Sequence, residues 1–300
     1  MTQTTSLVNV EQIPRGEERP LLIQAAAQLA RARQRPCLLF IVSEIRRDCV
    51  PAVRDAIKDS AGKEVDLVVH SNGGDIHAAY LVAREIKRRC ERVTVFVPLR
   101  AGSAATLLCL IGDELVLGSL GELGPLDGQY QPPQLTDASA DTSSLIPFRA
   151  LEQLNRSVAM MFDTLVERFV GVVHLKASEA CAQASQLTSA VFAPLYTQIH
   201  PRVLAENARG LELGMAHAER LLRRYRPTLA EAGRGELIDT LVNGYPCHCF
   251  PLDYEELEEL GFPVRPPTPS EELALEAIAV ALSEGKAEAD RVITVVGAEG

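Results

Sequence analysis

Three short stretches of this chain carry residues whose types and spacing could do chemistry. In His70-Ser71-Asn72-Gly73-Gly74-Asp75, two glycines fall where an apolar run ends and an amphipathic one begins. Consecutive glycines let backbone approach a ligand closely, and a helix start presents N–H groups unclaimed by any carbonyl, so the pair could hold a developing oxyanion. Read alone, the pair is also a tight turn. Ala101-Gly102-Ser103-Ala104-Ala105-Thr106 sets a serine at the start of a second apolar helix, among side chains small enough to admit a substrate carbonyl. Ser103 reads as an N-cap or as a nucleophile, and one residue could be both. The third stretch, Leu123-Gly124-Pro125-Leu126-Asp127-Gly128-Gln129, reads by itself as a turn.

The elements that must position these residues alternate. Leu21–Arg33 has helical spacing, Cys37–Val42 is an apolar run of buried-strand length, and Val50–Lys58 is helical again. Strand Val65–His70, helix Asp75–Cys90, strand Arg92–Val97, helix Ser103–Ile111 and strand Glu114–Leu117 follow. Short apolar strands separated by amphipathic helices imply right-handed crossovers and a mainly parallel sheet covered on both faces, an α/β fold of repeated β-α units. The sites then fall at the carboxyl ends of strands, where open parallel sheets bind ligands. Beyond residue 147 the chain turns helical, with amphipathic stripes over Leu151–Phe169 and Leu211–Tyr225. Asp253 and Glu256 form a capping box for a helix that stops at Gly261.

In this order and spacing the three stretches resemble the Clp-protease/crotonase superfamily, most nearly its serine dehydrogenase proteinase and signal peptide peptidase A branch. The resemblance rests on a strand followed by Ser71-x-Gly73-Gly74, a serine in Ala-x-Ser-Ala about 29 residues on, then Asp113-Glu114-Leu115-Val116-Leu117-Gly118 and Leu123-Gly124-Pro125-Leu126-Asp127-x-Gln129. It covers residues 65–130. A second match, Gly244-Tyr245-Pro246-Cys247-His248 before Leu260-Gly261-Phe262-Pro263-Val264, resembles the C-terminal Tyr-Pro-x-His segment of the serine dehydrogenase proteinase branch. The resemblance implies an ATP-independent serine peptidase in which Ser103 attacks and the N–H groups of Gly74 and Ala104, with Gly73 beside them, form the oxyanion hole.

It also implies a general base that is hard to find. Clp proteolytic subunits carry a histidine where this chain has Gly124-Pro125, and signal peptide peptidases use a lysine in a region that here offers Arg149, Asn155 and Arg156. Arginine stays protonated and cannot serve. His248, with Asp253 nearby to orient it, and Lys176 are the candidates, each with a structural alternative. His70 and His77 flank the glycine turn and read as packing residues. Two other functions stay open: an inactive oligomeric scaffold, favoured by the missing base, and a crotonase-like acyl-CoA enzyme, for which no carboxylate base stands out beyond Asp127.

Domain expectations follow: an arm over 1–19, a peptidase-like domain over 20–264 (core 37–130, lid or linker 131–147, helical part 148–264), and a C-terminal tail over 265–300 with a helix at 270–284. A composition of 47% hydrophobic and 23% charged residues without Trp is that of a soluble globular protein. A net charge of −10 argues against nucleic acid as a partner, because phosphate binding needs concentrated Lys and Arg. The expected partners are a peptide or protein substrate and further copies of the chain, since the late amphipathic helices carry more apolar surface than a peripheral layer needs. No cofactor is expected. Seven cysteines without framework spacing read as free thiols in a reducing compartment, and Cys247-His248-Cys249 has no second pair at zinc-finger spacing, so no metal is expected either. There is no signal-peptide pattern and no run of 18 apolar residues, which makes cytoplasmic residence without a transmembrane segment the expectation.

Overall fold

A computed structural model describes residues 18–126, 129–130, 142–143, 145–227, 229–284 and 291–298. Residues 1–17 of the expected arm, Asp127-Gly128 and most of the expected lid lie outside these residues, and residues 18 and 19, expected in the arm, are helical. The chain divides into two units, residues 1–129 with 211–300, and residues 130–210.

In the first unit the elements run α1 (Glu18–Arg33), β1 (Cys37–Val42), α2 (Cys49–Ala56), β2 (Glu64–His70), α3 (Ile76–Arg89), β3 (Arg92–Val97), β4 (Arg100–Ala101), α4 (Thr106–Cys109), β5 (Glu114–Leu117) and β6 (Glu122–Leu123). Two short strands, β7 (Gln129–Tyr130) and β8 (Thr142–Ser143), and two helices, α5 (Ile146–Gly171) and α6 (Ala177–Tyr196), come next. Then follow α7 (Pro201–Tyr225), α8 (Glu231–Asn243), α9 (Tyr254–Glu259), β9 (Val264–Arg265), α10 (Pro269–Glu284) and β10 (Arg291–Val296).

The main sheet has the order β10-β1-β2-β3-β5-β9 and is parallel throughout except for β10, which runs antiparallel to β1. The α/β expectation therefore holds. Because β1, β2, β3 and β5 advance in one direction, right-handed crossovers place α2, α3 and α4 on one face. Successive strand residues point to opposite faces, and Cys37, Leu39, Ile41, Val68, Phe96 and Val116 meet Leu22, Leu29, Leu275 and Ile278 of α1 and α10 on the other. With both faces covered, β1 can be apolar along its whole length, and all six of its residues are buried.

The stretch expected to be a tail is thus built into the sheet. Its helix packs on α1, and its strand pairs with β1 in the register Cys37↔Val296 to Val42↔Arg291. Ionic contacts fasten it. Arg33 of α1 donates to Asp66 of β2 (3.1 Å), Thr94 of β3 (3.1 Å) and Glu271 of α10 (3.1 Å). Arg265 of β9 donates to both oxygens of Glu271 (2.8 Å each) and to Glu114 of β5 (3.1 Å). Asp66 and Glu271 are buried.

In the second unit α5 and α6 pack on each other. None of the α5 side chains is buried, and Met160, Val172, Leu187, Val191 and Leu195 are exposed. No described helix is long and apolar enough to cross a membrane.

Candidate active site

The first sequence stretch folds as a close double contact. Beyond β2, the N–H of Ile45 donates to Gly73 O (2.6 Å) and that of Asp75 to Ile45 O (2.8 Å), which pins the turn to the segment after β1. Gly73 and Gly74 have φ of +116° and +130°, values that L side chains avoid. Asp75 then caps α3, its Oδ1 accepting from the N–H groups of His77 (2.8 Å) and Ala78 (3.0 Å). A Cβ on Gly73 would lie 2.8 Å from Ser103 Cβ and 3.3 Å from Ala104 N, so Gly73 is the glycine that faces the serine. A Cβ on Gly74 would instead strike Ile45 O at 2.5 Å and Ile45 N at 2.7 Å. Gly74→Ala is therefore expected to disrupt the turn and lower stability by about 2 kcal/mol or more, read as a shift in the urea midpoint.

The second stretch departs from the expected helix. Instead of one helix from Ser103 to Ile111, there is a 3₁₀ turn over Ser103–Ala105 followed by a four-residue α4. The reason is visible at Ser103, whose φ is +50°, a left-handed conformation that costs a non-glycine residue about 1–2 kcal/mol. The N-cap reading of Ser103 does not hold. Gly102 occupies the cap position, no side chain caps the turn, and Ser103 Oγ makes no hydrogen bond to a described residue. Thr106 Oγ1 supplies the local bonds instead, donating to Gly124 O at 2.7 Å and reaching Ala101 O at 3.2 Å. Ser103 is only 4% exposed.

Backbone bonds seat this turn between its neighbours. Ser71 N–H donates to Arg100 O (3.0 Å), Gly102 N–H to Ser71 O (2.9 Å) and Gly124 N–H to Ala101 O (2.9 Å). The N–H groups of Gly74 and Ala104, the two expected oxyanion donors, bond to no acceptor among the described residues.

The third stretch explains the missing histidine. A Cβ on Gly124 would sit 3.0 Å from Gly102 Cα and 3.1 Å from Ser103 N, closer than ordinary contacts. The glycine lets the β6 segment lie against the serine turn, and a side chain there would push the two apart.

The sequence-expected bases lie in different units. Lys176 is the N-cap residue of α6 in the second unit. His248 belongs to the first unit, in a turn closed by Phe250 N–H donating to Cys247 O (3.2 Å). Just after it, Leu252 and Leu123 exchange N–H···O bonds of 3.0 and 2.9 Å, which attaches the segment to β6 beside the serine turn. Its other motif residues serve structure. Tyr245 donates to Glu256 (2.6 Å), and the Asp253 carboxylate accepts from Glu256 N–H (3.1 Å) as the cap of α9. Asp253, expected to orient His248, thus spends an oxygen on the helix.

An imidazole pair went unread in the sequence. His77 Nδ1 lies 3.2 Å from His217 Nε2, and His217 stacks on Tyr80 with ring centroids 4.2 Å apart. Burial, then the neighbouring His77 and Arg220, lower the His217 pKa to about 4. Its place four residues before Leu221 puts it on the apolar face of α7, the one signal that could have found it. His70, at the end of β2, is half-buried, and burial lowers its pKa as well. No group of three or more metal-ligating side chains occurs among the described residues.

Comparison with known proteins fits this geometry. An uncharacterized protein of Methanocaldococcus jannaschii is 28% identical over 145 residues, 45% of this chain and 50% of the relative. A second from the same organism is 29% identical over 106 residues, 34% of this chain and 35% of the relative. The chain thus spans half or less of the length of these relatives. Residues 34–146, a segment that contains both glycines, Ser103 and Gly124, match the family of ClpP-like SDH-type serine proteinases.

Proposed function

We propose that the chain is a serine peptidase in which Ser103 attacks the scissile carbonyl and the N–H groups of Gly74 and Ala104, with Gly73 alongside, receive the oxyanion. The observation that carries this reading is the backbone of Ser103. A serine held at φ +50° without capping anything is strain with no local structural return, and nucleophiles are found on such strained strand-to-helix turns. Both oxyanion donors are backbone groups that need no reorganisation as charge develops. His248 is the preferred base because its segment is joined to β6, with Lys176 second.

Gly124 and the unbonded Ser103 hydroxyl favour a second reading, an inactive relative that kept the fold as a scaffold. Labelling with a fluorophosphonate separates the two. An adduct on Ser103 in wild type, absent from Ser103→Ala, supports the peptidase, and a folded, unlabelled wild type transfers the proposal to the scaffold.

Assembly into a homo-oligomer is supported by the exposed apolar residues of α5 and α6, and light scattering at micromolar concentration tests it. Buried free thiols support residence in a reducing, cytoplasmic compartment.

A further inference from the structure

Cys247 and Cys249 flank His248 in the turn that Phe250 N–H closes. Both are exposed, and their sulfurs are 2.8 Å apart. The other thiols differ. Cys37, Cys49, Cys90 and Cys109 are buried, and burial pushes each thiol up, that of Cys90 to about 11, which withholds the thiolate needed for exchange. Cys181 is exposed on α6 in the second unit. One pair in the chain is therefore both accessible and already in contact.

We propose that Cys247 and Cys249 are a reversible dithiol–disulfide site that reacts with low-molecular-weight disulfides. In the first step one thiolate attacks a sulfur of the small disulfide, forming a mixed disulfide and expelling one small thiolate. In the second, the other cysteine's thiolate attacks the protein sulfur of that mixed disulfide, closing the Cys247–Cys249 bond and expelling the second small thiolate. The cysteine pair loses two electrons and two protons, and the small disulfide becomes two thiols.

The turn makes the second step fast, because the resolving sulfur is already beside the first. A hydrogen bond to Cys247, ahead of smaller contributions, raises the Cys249 thiol while the charge of Arg100 works the other way, which slows attack by Cys249 but leaves it accessible, unlike the four buried thiols. A disulfide between residues two apart is strained and oxidising, so a reducing cytoplasm keeps the pair as thiols until that poise rises. Closure stiffens the turn that bears His248 and leads to Leu252, yet the proposal holds whether or not Ser103 is a nucleophile.

The test treats the full chain with glutathione disulfide, quenches with N-ethylmaleimide and maps the products by mass. Wild type should lose two hydrogens at Cys247 and Cys249 and carry no glutathione there, with Cys181 as an internal standard for simple mixed-disulfide formation. Cys247→Ser and Cys249→Ser should each retain one glutathione on the remaining cysteine of the turn. Dithiothreitol should restore both thiols in wild type. Stable glutathione adducts on Cys247 or Cys249 of wild type, or maleimide on both after oxidant treatment that modifies Cys181, would overturn the proposal.

Discussion

Ser103→Ala is expected to reduce peptide or ester hydrolysis by roughly three orders of magnitude or more, because no other described group is placed to attack a carbonyl between Gly73 and Ala104. Ser103→Gly should be equally inactive and yet more stable than wild type by about 1 kcal/mol, since glycine adopts the left-handed conformation without penalty. A nucleophile kept at the expense of stability would show this opposition, whereas a serine that merely packs would lose stability in both variants. Activity in His248→Ala should fall nearly as far as in Ser103→Ala if the two act as a unit. A pH–rate profile separates an imidazole base from an amine, which would work only at more alkaline pH. Activity retained in His248→Ala and lost in Lys176→Ala would move the base to lysine, and turnover surviving Ser103→Ala would sink the serine mechanism.

Glu271→Ala is expected to destabilise the first unit by about 3 kcal/mol, the low end for breaking a buried ion pair, because Arg33 and Arg265 keep partial access to water. The variant takes one carboxylate from two guanidinium groups at once, leaving Arg33 with Asp66 and Arg265 with Glu114, and it removes the acceptor of Thr268 N–H (2.7 Å) at the start of α10. Thermal unfolding with a far-UV readout checks it. The pH dependence has a definite sign. Burial raises the Glu271 carboxyl, but the Arg265 hydrogen bonds and the Thr268 N–H outweigh it and lower the folded pKa from 4.5 to about 2. A depressed carboxylate contributes stability that is full above the unfolded pKa, so the contribution is present above about pH 4.5 and is lost as the pH falls toward 2. Asp66 shifts the other way, raised by burial against the pull of Arg33, so it cannot account for acid lability. In Glu271→Ala that part of the acid-induced loss should disappear. An unchanged midpoint at neutral pH would show that Asp66 and Glu114 suffice to hold the two arginines.

What the sequence made legible was local. The apolar runs Cys37–Val42, Val65–His70 and Arg92–Val97 signal buried strands, and the helix expected from Asp75 and the Asp253–Glu256 box mark true helix starts. The residues around Ser103 could be picked out by type and spacing, but the left-handed turn could not. Ser-Ala-Ala has ordinary helix propensity, and the distortion comes from neighbouring chain segments at Ser71, Gly73 and Gly124. Likewise Arg291–Val296 has the β-branched run of a strand, but its antiparallel match to β1 is a tertiary choice. One local signal went unused: Thr268-Pro269-Ser270-Glu271 has capping-box spacing, and Thr268 N–H and Glu271 do bond reciprocally. The sequence could not single out a base, because His248 and Lys176 lie far from Ser103 along the chain and local spacing carries no information about such distant pairs.

The pairing of β1 with β10 has a consequence for synthesis on the ribosome. Cys37–Val42 emerges early, pairs with β2 soon after, and then waits for Arg291–Val296 to be translated before its other edge is closed. Until then an entirely apolar strand presents unpaired backbone along one side, the kind of edge to which other nascent chains add. Closing so distant a pair is also slow in loop-entropy terms. Truncation before residue 291 should therefore yield aggregated rather than soluble protein, and the cell must keep β1 shielded for most of the time the chain is being made.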